Sequence, residues 1–250
     1  MPPIGMHMFL ARQLAKTLAD PRIAAEEGAY YLGSTAPDIR VLTRWERERT
    51  HFFDLHRFDE QSGVENLFRA YPELARPEAL NPPTVAFLAG YLTHLVLDEQ
   101  WIRDVYRPCF GERSPLKGDV LANVKDRVLQ FELDRRERED ARAAEEIRSA
   151  LERCTVDIAV EFLERETLLR WRDISLEILR QTPDWSRLRL IAGRHLREYG
   201  VETDQALDEF LTRIPELLEE TVREVTTERV QAFFEAARER SLETVRSYLS

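Results

Sequence analysis

At 250 residues the chain is long enough to bury a sizeable core, and 43% hydrophobic against 33% charged residues exclude wholesale disorder. A net charge of −10 argues against bulk nucleic-acid binding, which needs clustered lysine and arginine. Nine glycines are few for this length and favour long helices over a turn-rich sheet.

In chain order, residues 6–19 carry Met8, Leu10, Leu14 and Leu18 among polar residues and predict a first helix, ending near Asp20 and Pro21. Residues 22–32 predict a second, ending at Gly33. The turn-rich segment Ser34 to Asp38 follows, with Pro37 to break any helix. A short helix is expected over 61–71. Asn81-Pro82-Pro83 is a start signal for an apolar helix from 84 to about 105. A loop is expected from Pro108 to Lys117, then charged amphipathic helices over 118–137 and 140–181. After Thr182-Pro183-Asp184 come helices over 186–198 and 203–249, the last kinked at Pro215. There Leu207, Phe210, Leu211, Ile214 and Leu218 recur at three and four residues, so one face is buried. No stretch shows convincing period-2 alternation. The expected fold is all-α, a multi-helix single domain over 1–250. Histidines and aromatics concentrate in about 1–137, and an amphipathic helical region covers about 140–250.

The longest apolar run, Thr84 to Leu97, is too short for the roughly 20 residues that span a bilayer. The N-terminus has no basic region and no signal-peptide core, and Cys109 and Cys154 form no disulfide framework, so a reduced cytoplasmic setting is expected. Arg47 and Arg49 alternate with Glu46 and Glu48. Arg135, Arg136 and Arg138 are likewise interleaved with acids. Both runs read as solvated helix faces.

The chemistry gathers around five histidines: His7, His51, His56, His94 and His195. His94 and Asp98 lie four apart on the apolar helix, so both point from one face and can bind one cation. Burying them without partners costs several kcal/mol, and a metal is one such partner. A His–Asp hydrogen bond, or an aspartate paired with arginine, is another. Gly90, one turn earlier on the same face, allows another element to approach closely. Asp38 follows Pro37 in a loop, where a turn or capping role is the ordinary one. His51 lies among aromatics in Thr50-His51-Phe52-Phe53 and, alone, reads as a core residue. Together, His51, His94, Asp38 and Asp98 make a mixed nitrogen and oxygen set that suits zinc and leaves iron or manganese open. His7 can join them or bind a second ion bridged by Asp98. His56 reads as a surface or supporting residue. Tyr91 and Trp101 read as core aromatics near the site.

The order His7, then G-S-x-x-P-D-I at 33–39, T-H-F at 50–52 and A-F-L-A-G-Y-L-T-H-L-V-L-D at 86–98 resembles the bacterial zinc-dependent phospholipase C family, which is related to the S1/P1-type nucleases. The resemblance covers about residues 1–105 and implies a phospholipase C/P1 nuclease-like helical fold with a helical C-terminal extension. It implies that Asp38, His51, His94 and Asp98 surround one zinc, with Asp98 reaching a neighbouring ion held by His7. Secreted members hold three zincs and use two further histidines and a glutamate after the helix pair. Here only His195 follows Asp98, in an Arg-rich helix where a surface role is expected, so one or two ions are expected. Glu132 and Asp134 are weak substitutes, since such acids are usually solvated. Secreted members also use a processed N-terminal amine, a contact this chain, starting at Met1, is not expected to make.

Two functions follow. One is a metal-dependent hydrolase of phosphoric esters, in which metal-activated water attacks phosphorus and Asp38 orients or deprotonates that water. Its substrate would be a small phosphorylated molecule such as a phospholipid headgroup or a nucleotide. The other is a non-catalytic helical protein with a structural or vestigial metal site. An HD-type phosphohydrolase needs an adjacent His-Asp pair, which the sequence lacks. No G-x-S-x-G, P-loop or G-x-G-x-x-G is present. The amphipathic last helix leaves a homodimer open.

Overall fold

The structure, a computed structural model, describes residues 2–55, 57–59, 61–117, 119, 121–182, 185, 201 and 203–250. His56, His195 and the expected helix over 186–198 lie outside the described residues. The regular structure of the described residues is all helical, with no strand among them, as the periodicity predicts.

Helix α1 (Ile4–Leu18) starts after two prolines and ends where Ala19 turns left-handed at φ 48°. The helix expected over 22–32 is two. The side chain of Asp20 caps α2 (Pro21–Ala25) by accepting from the Arg22 N–H at 2.9 Å. Glu26, at φ −129° and ψ 40°, breaks it from α3 (Glu27–Gly33). A 3₁₀ turn over Ala36–Ile39 leads into the short α4 (Arg40–Thr43) and α5 (Glu48–His51). Ser62 caps α6 (Gly63–Ala70).

Asn81 then caps the long α7 (Pro82–Trp101), accepting from the Thr84 N–H at 2.9 Å. Every residue of α7 from Thr84 to Trp101 is buried, so its sequence shows an unbroken apolar run and no single stripe. The helix continues in wider π form over Ile102–Phe110, carrying Pro108 with it, so the expected loop begins three residues late, at Gly111. Pro108 has no N–H to donate in either helical form, and the Asp104 carbonyl four residues before it accepts from Arg229 Nη1 at 3.0 Å instead.

The second half supplies α8 (Ala122–Arg138), α9 (Ala141–Arg153), α10 (Arg165–Arg180), α11 (Asp204–Thr212), α12 (Ile214–Val225) and α13 (Thr227–Leu249). The single helix expected over 140–181 is interrupted. Residues 154–163 are non-helical: 154–160 have no regular structure, with Val156 left-handed at φ 54°, and 161–163 turn back toward the next helix. In this segment Cys154, Val156, Ile158, Val160 and Phe162 are buried while Thr155, Asp157, Ala159 and Glu161 are exposed. That is a period-2 pattern that the long charged helices on either side obscure. It forms no sheet: the Ala159 N–H donates to Thr84 Oγ1 at 2.8 Å, and the Asp157 carbonyl accepts from Asn81 Nδ2 at 3.1 Å. The strap is thereby pinned to the start of α7. The expected kink in the last helix is two breaks, with Pro215 in the first turn of α12 and Thr226 at φ 66° before α13.

Helix α7 is the axis of the core. Helix α3 packs along one side and α13 along another, while α9 covers α3 and α8 covers α1. Two glycines set the first of these contacts. A Cβ on Gly90 would stand 1.9 Å from the Tyr30 carbonyl oxygen, and one on Gly33 would stand 1.9 Å from the Phe87 carbonyl oxygen. The backbones of α3 and α7 therefore touch at this crossing. Gly90→Ala is expected to cost about 2–3 kcal/mol through forced separation of the helices. Its urea unfolding midpoint should drop well below that of wild type, while Val41→Ala, at a position 73% exposed, should leave it unchanged.

Candidate metal centre

The α3–α7 crossing fixes the first histidine. Gly90 lies one turn before His94, and Ser34 directly follows Gly33. Contact between the helices therefore brings His94 Nδ1 to 2.8 Å from the Ser34 carbonyl oxygen. A carbonyl only accepts, so Nδ1 carries the proton and Nε2 keeps its lone pair. His51, at the end of α5, is set the same way. Its Nδ1 lies 3.1 Å from Thr50 Oγ1, whose own hydroxyl donates to the Arg47 carbonyl at 3.4 Å, so Nε2 is again the acceptor. The Tyr91 hydroxyl donates to the Thr50 carbonyl and ties α5 to α7. Phe52 leaves α5 left-handed at φ 54°, and its carbonyl is held by Asn66 Nδ2 at 2.9 Å.

The two Nε2 atoms meet at 3.4 Å. Around them stand Asp98, with Oδ2 at 3.2 Å from His51 Nε2 and 3.9 Å from His94 Nε2, and Asp38, with Oδ1 at 3.6 Å from His51 Nε2. His7, from α1, stacks flat on His94 with ring centroids 3.6 Å apart, its Nε2 3.5 Å from Asp98 Oδ1. The five residues named from the sequence, His7, Asp38, His51, His94 and Asp98, thus converge from α1, the 3₁₀ turn, α5 and α7. They form two overlapping triads, each with ligand atoms within 4.8 Å of one another: His7, His94 and Asp98, and Asp38, His51 and His94. His94 belongs to both.

Four of the five are essentially closed to solvent, and Asp38, at 8%, is the most exposed. His7 Nδ1, His7 Nε2 and Asp98 Oδ1 are buried with no hydrogen-bond partner. Buried polar atoms are nearly always satisfied, so three in one spot mark a place shaped for something else. Burial, and then the charge of His7, push the His94 imidazole down to about 3, so it is neutral near pH 7. Burial works against the Asp38 charge, yet the His51 hydrogen bond and the His94 charge outweigh it and hold the carboxyl at about 2. Asp98 is likewise held well below the usual carboxylate range: burial opposes its charge, and His51, His7, His94 and Arg47 overcome it. Neutral imidazole with ionised carboxylate is the protonation state that binds a cation.

Sequence reasoning missed the residues that support this cluster. Arg47, read as part of a solvated face, is 6% exposed. Its Nη2 donates to Asp98 Oδ2 at 2.7 Å and its Nη1 to the Phe53 carbonyl at 3.0 Å. The available signal was its place four residues before His51, which puts both on one helical face, but the flanking glutamates masked it. The arginine pairing of Asp98, which the sequence left open as the alternative to a metal, is present beside the two triads. Arg138 is also buried, not solvated. It donates to the carbonyls of Ile178 and Gln181 at 2.6 and 2.5 Å. Glu132 and Asp134 are buried too, but they do not join the cluster. Glu132 pairs with Arg135 at 2.8 Å and Arg136 at 2.7 Å, and Asp134 accepts the Met6 N–H at 2.8 Å, capping α1. Tyr91 and Trp101 are fully buried in the core, as expected. A cleft of about 640 Å³ lies on the Arg47 side of the cluster, walled by Arg40, Arg47, Arg107, Arg127, Phe58 and Trp101 among others.

Residues 6–101 match the family model of zinc dependent phospholipase C, which supports the family recognition made from the motifs. No curated protein and no solved structure matches the chain. The family match and the His/Asp triads support a metal-dependent phosphoester hydrolase at family level. No helix among the described residues is long and apolar enough to cross a membrane.

The pH dependence of the metal-free protein follows from His94. Between about pH 6.5 and pH 3 the unfolded chain binds a proton at this imidazole and the folded one does not, so stability falls as pH falls through that window. Thermal unfolding of chelator-treated protein is expected to show this loss, and His94→Gln to flatten it.

Proposed function

We propose that this chain is a zinc-dependent hydrolase of phosphoric esters of the phospholipase C type, with His7, Asp38, His51, His94 and Asp98 as its metal-binding residues. The observation that carries the reading is the set of orphaned buried atoms, His7 Nδ1 and Nε2 and Asp98 Oδ1, beside two imidazoles whose Nε2 lone pairs converge. The donor set fits the ion. Zinc arms of about 2.0–2.2 Å place tetrahedral ligands roughly 3.3–3.6 Å apart. The His51–Asp98, His51–His94, His51–Asp38 and His94–Asp98 separations, 3.2 to 3.9 Å, lie in or beside that range, and Asp38, His51 and His94 form one of the two triads.

Zinc in such a site supplies Lewis acidity, polarising a phosphoryl oxygen and bringing water to ionise near neutral pH. The residues of the chain do the rest. Ser34 and Thr50 fix the tautomers and orientations of His94 and His51. Asp38, ionised and the most exposed member of the cluster, orients the attacking water and takes its proton wherever it is not itself a ligand. The neighbouring cleft, of about 640 Å³, is large enough for a small phosphorylated substrate such as a phospholipid headgroup. The near-complete burial of the other four residues favours one competing reading, a closed structural metal site without catalysis.

Elemental mass spectrometry of untagged protein separates these. Near-stoichiometric zinc, lost in His94→Ala and Asp98→Ala, is expected, together with hydrolysis of a chromogenic phosphodiester. Metal without any hydrolysis selects the structural reading. No metal even after reconstitution sinks both. Thr50→Val removes the acceptor for His51 Nδ1–H and is expected to weaken zinc binding about 10–100-fold, read by competition with a chelating dye.

A further inference from the structure

The two triads share one imidazole. His94 Nδ1 is committed to the Ser34 carbonyl at 2.8 Å, so His94 offers a single lone pair, on Nε2, and serves a single ion. With that ion in one triad, only two ligands remain in the other, either His7 and Asp98 or Asp38 and His51. Two protein ligands fall short of the three or four that hold zinc firmly. Among the described residues no further histidine, cysteine or carboxylate completes that second set.

Asp98 also already carries a cation. Arg47 donates to its Oδ2 at 2.7 Å, with both side chains buried. The guanidinium is held from its other side by the Phe53 carbonyl at 3.0 Å and lies 6.0 Å from the Phe53 ring centre, so its position is fixed by two elements. Arg47 also forms part of the wall of the cleft. Glu46, Glu48, Glu112 and Asp126 line that cleft too, but Asp126 is spent on Trp101 Nε1 at 2.9 Å and Gln130 Nε2 at 2.8 Å. One residue thus touches both the carboxylate of the cluster and the cleft.

We infer that Arg47 takes the part of a second metal ion: the cluster binds one divalent cation, and the Arg47 guanidinium supplies the second positive charge to an oxyanion in the cleft. This rests on the metal-site reading above. A planar guanidinium matches the oxygens of a tetrahedral phosphate, and its charge does not depend on loading with metal. The ligand chemistry is that of a phosphoryl group, whether on a lipid headgroup or on inorganic phosphate.

Wild-type protein saturated with zinc and dialysed should contain one ion per chain by elemental mass spectrometry. Two ions overturn the inference while leaving the metal site standing. No ion overturns the metal site itself. Calorimetric titration of zinc-loaded protein with inorganic phosphate then reads the second half. Arg47→Gln is expected to keep one zinc and lose about tenfold or more in phosphate affinity, and Arg47→Lys to recover part of that loss. Phosphate affinity equal to wild type in Arg47→Gln overturns the role, as does wild type that takes up no phosphate. Because zinc content is read in the same samples, a variant that merely misfolds is recognised by loss of metal. The Arg47→Lys variant and the wild-type stoichiometry then still decide.

Discussion

The backbone contact between α3 and α7 is the constraint on which the histidine cluster depends. Gly33 and Gly90 each leave out a Cβ that would otherwise lie 1.9 Å from a carbonyl oxygen of the opposite helix. Because those side chains are absent, the Ser34 carbonyl reaches His94 Nδ1, and the 3₁₀ turn carrying Asp38 begins two residues later, beside the same helix. A methyl group at either position would move the acceptor away from the imidazole before it touched any ligand. Packing and chemistry are therefore set by the same two residues.

That contact creates an electrostatic problem which the rest of the cluster answers. Three imidazoles, two carboxylates and a guanidinium are brought out of water within a few ångströms. Desolvation alone would neutralise the carboxylates. They stay ionised because His51 and Arg47 face them, while His94 stays neutral because burial and its stacked neighbour His7 disfavour a proton on Nε2. The arrangement is poised short of completion. Asp98 Oδ2 faces His51 and Arg47, but Oδ1 and both nitrogens of His7 are left without hydrogen bonds. A cation bound at the cluster would bring the positive charge that those atoms lack.

The second half of the chain makes the burial possible. Helix α13 lies along α7, with Phe233 edge-on to Trp101 at 5.0 Å and Tyr248 stacked on Phe68 at 5.8 Å. Arg240 Nη1 donates to Gln100 Oε1 at 2.6 Å, and Arg229 to the Asp104 carbonyl at 3.0 Å. The non-helical strap at 154–163 closes the other end of α7, where Phe162 packs against Phe52, Tyr71 and Tyr91. These elements lie beyond residue 101, where the family match ends, and they seal the helix that carries His94 and Asp98. The apolar face of the last helix, which the sequence left open for a partner, is covered within the chain at Phe233, Ala237, Val245, Tyr248 and Leu249.

The sequence by itself determined the helical class, the start signal at Asn81, and the five metal-site candidates, because these depend on spacing within a turn or two of chain. The i,i+4 spacing of His94 and Asp98 needs only a helix to put both on one face, and Gly90 needs only that helix to mark a close approach. It misread Glu26, the 154–163 strap and the continuation through Pro108, where burial by distant elements overrides local signals. It also misread Arg47, Glu132, Asp134 and Arg138 as solvated, since charges set among other charges look alike whether they meet water or a buried partner. Only the tertiary structure decided that His94 offers Nε2, that it is shared between two triads, and that Arg47 holds Asp98. Those facts are distances between residues 43 to 91 positions apart, and they exist only once the helices have packed.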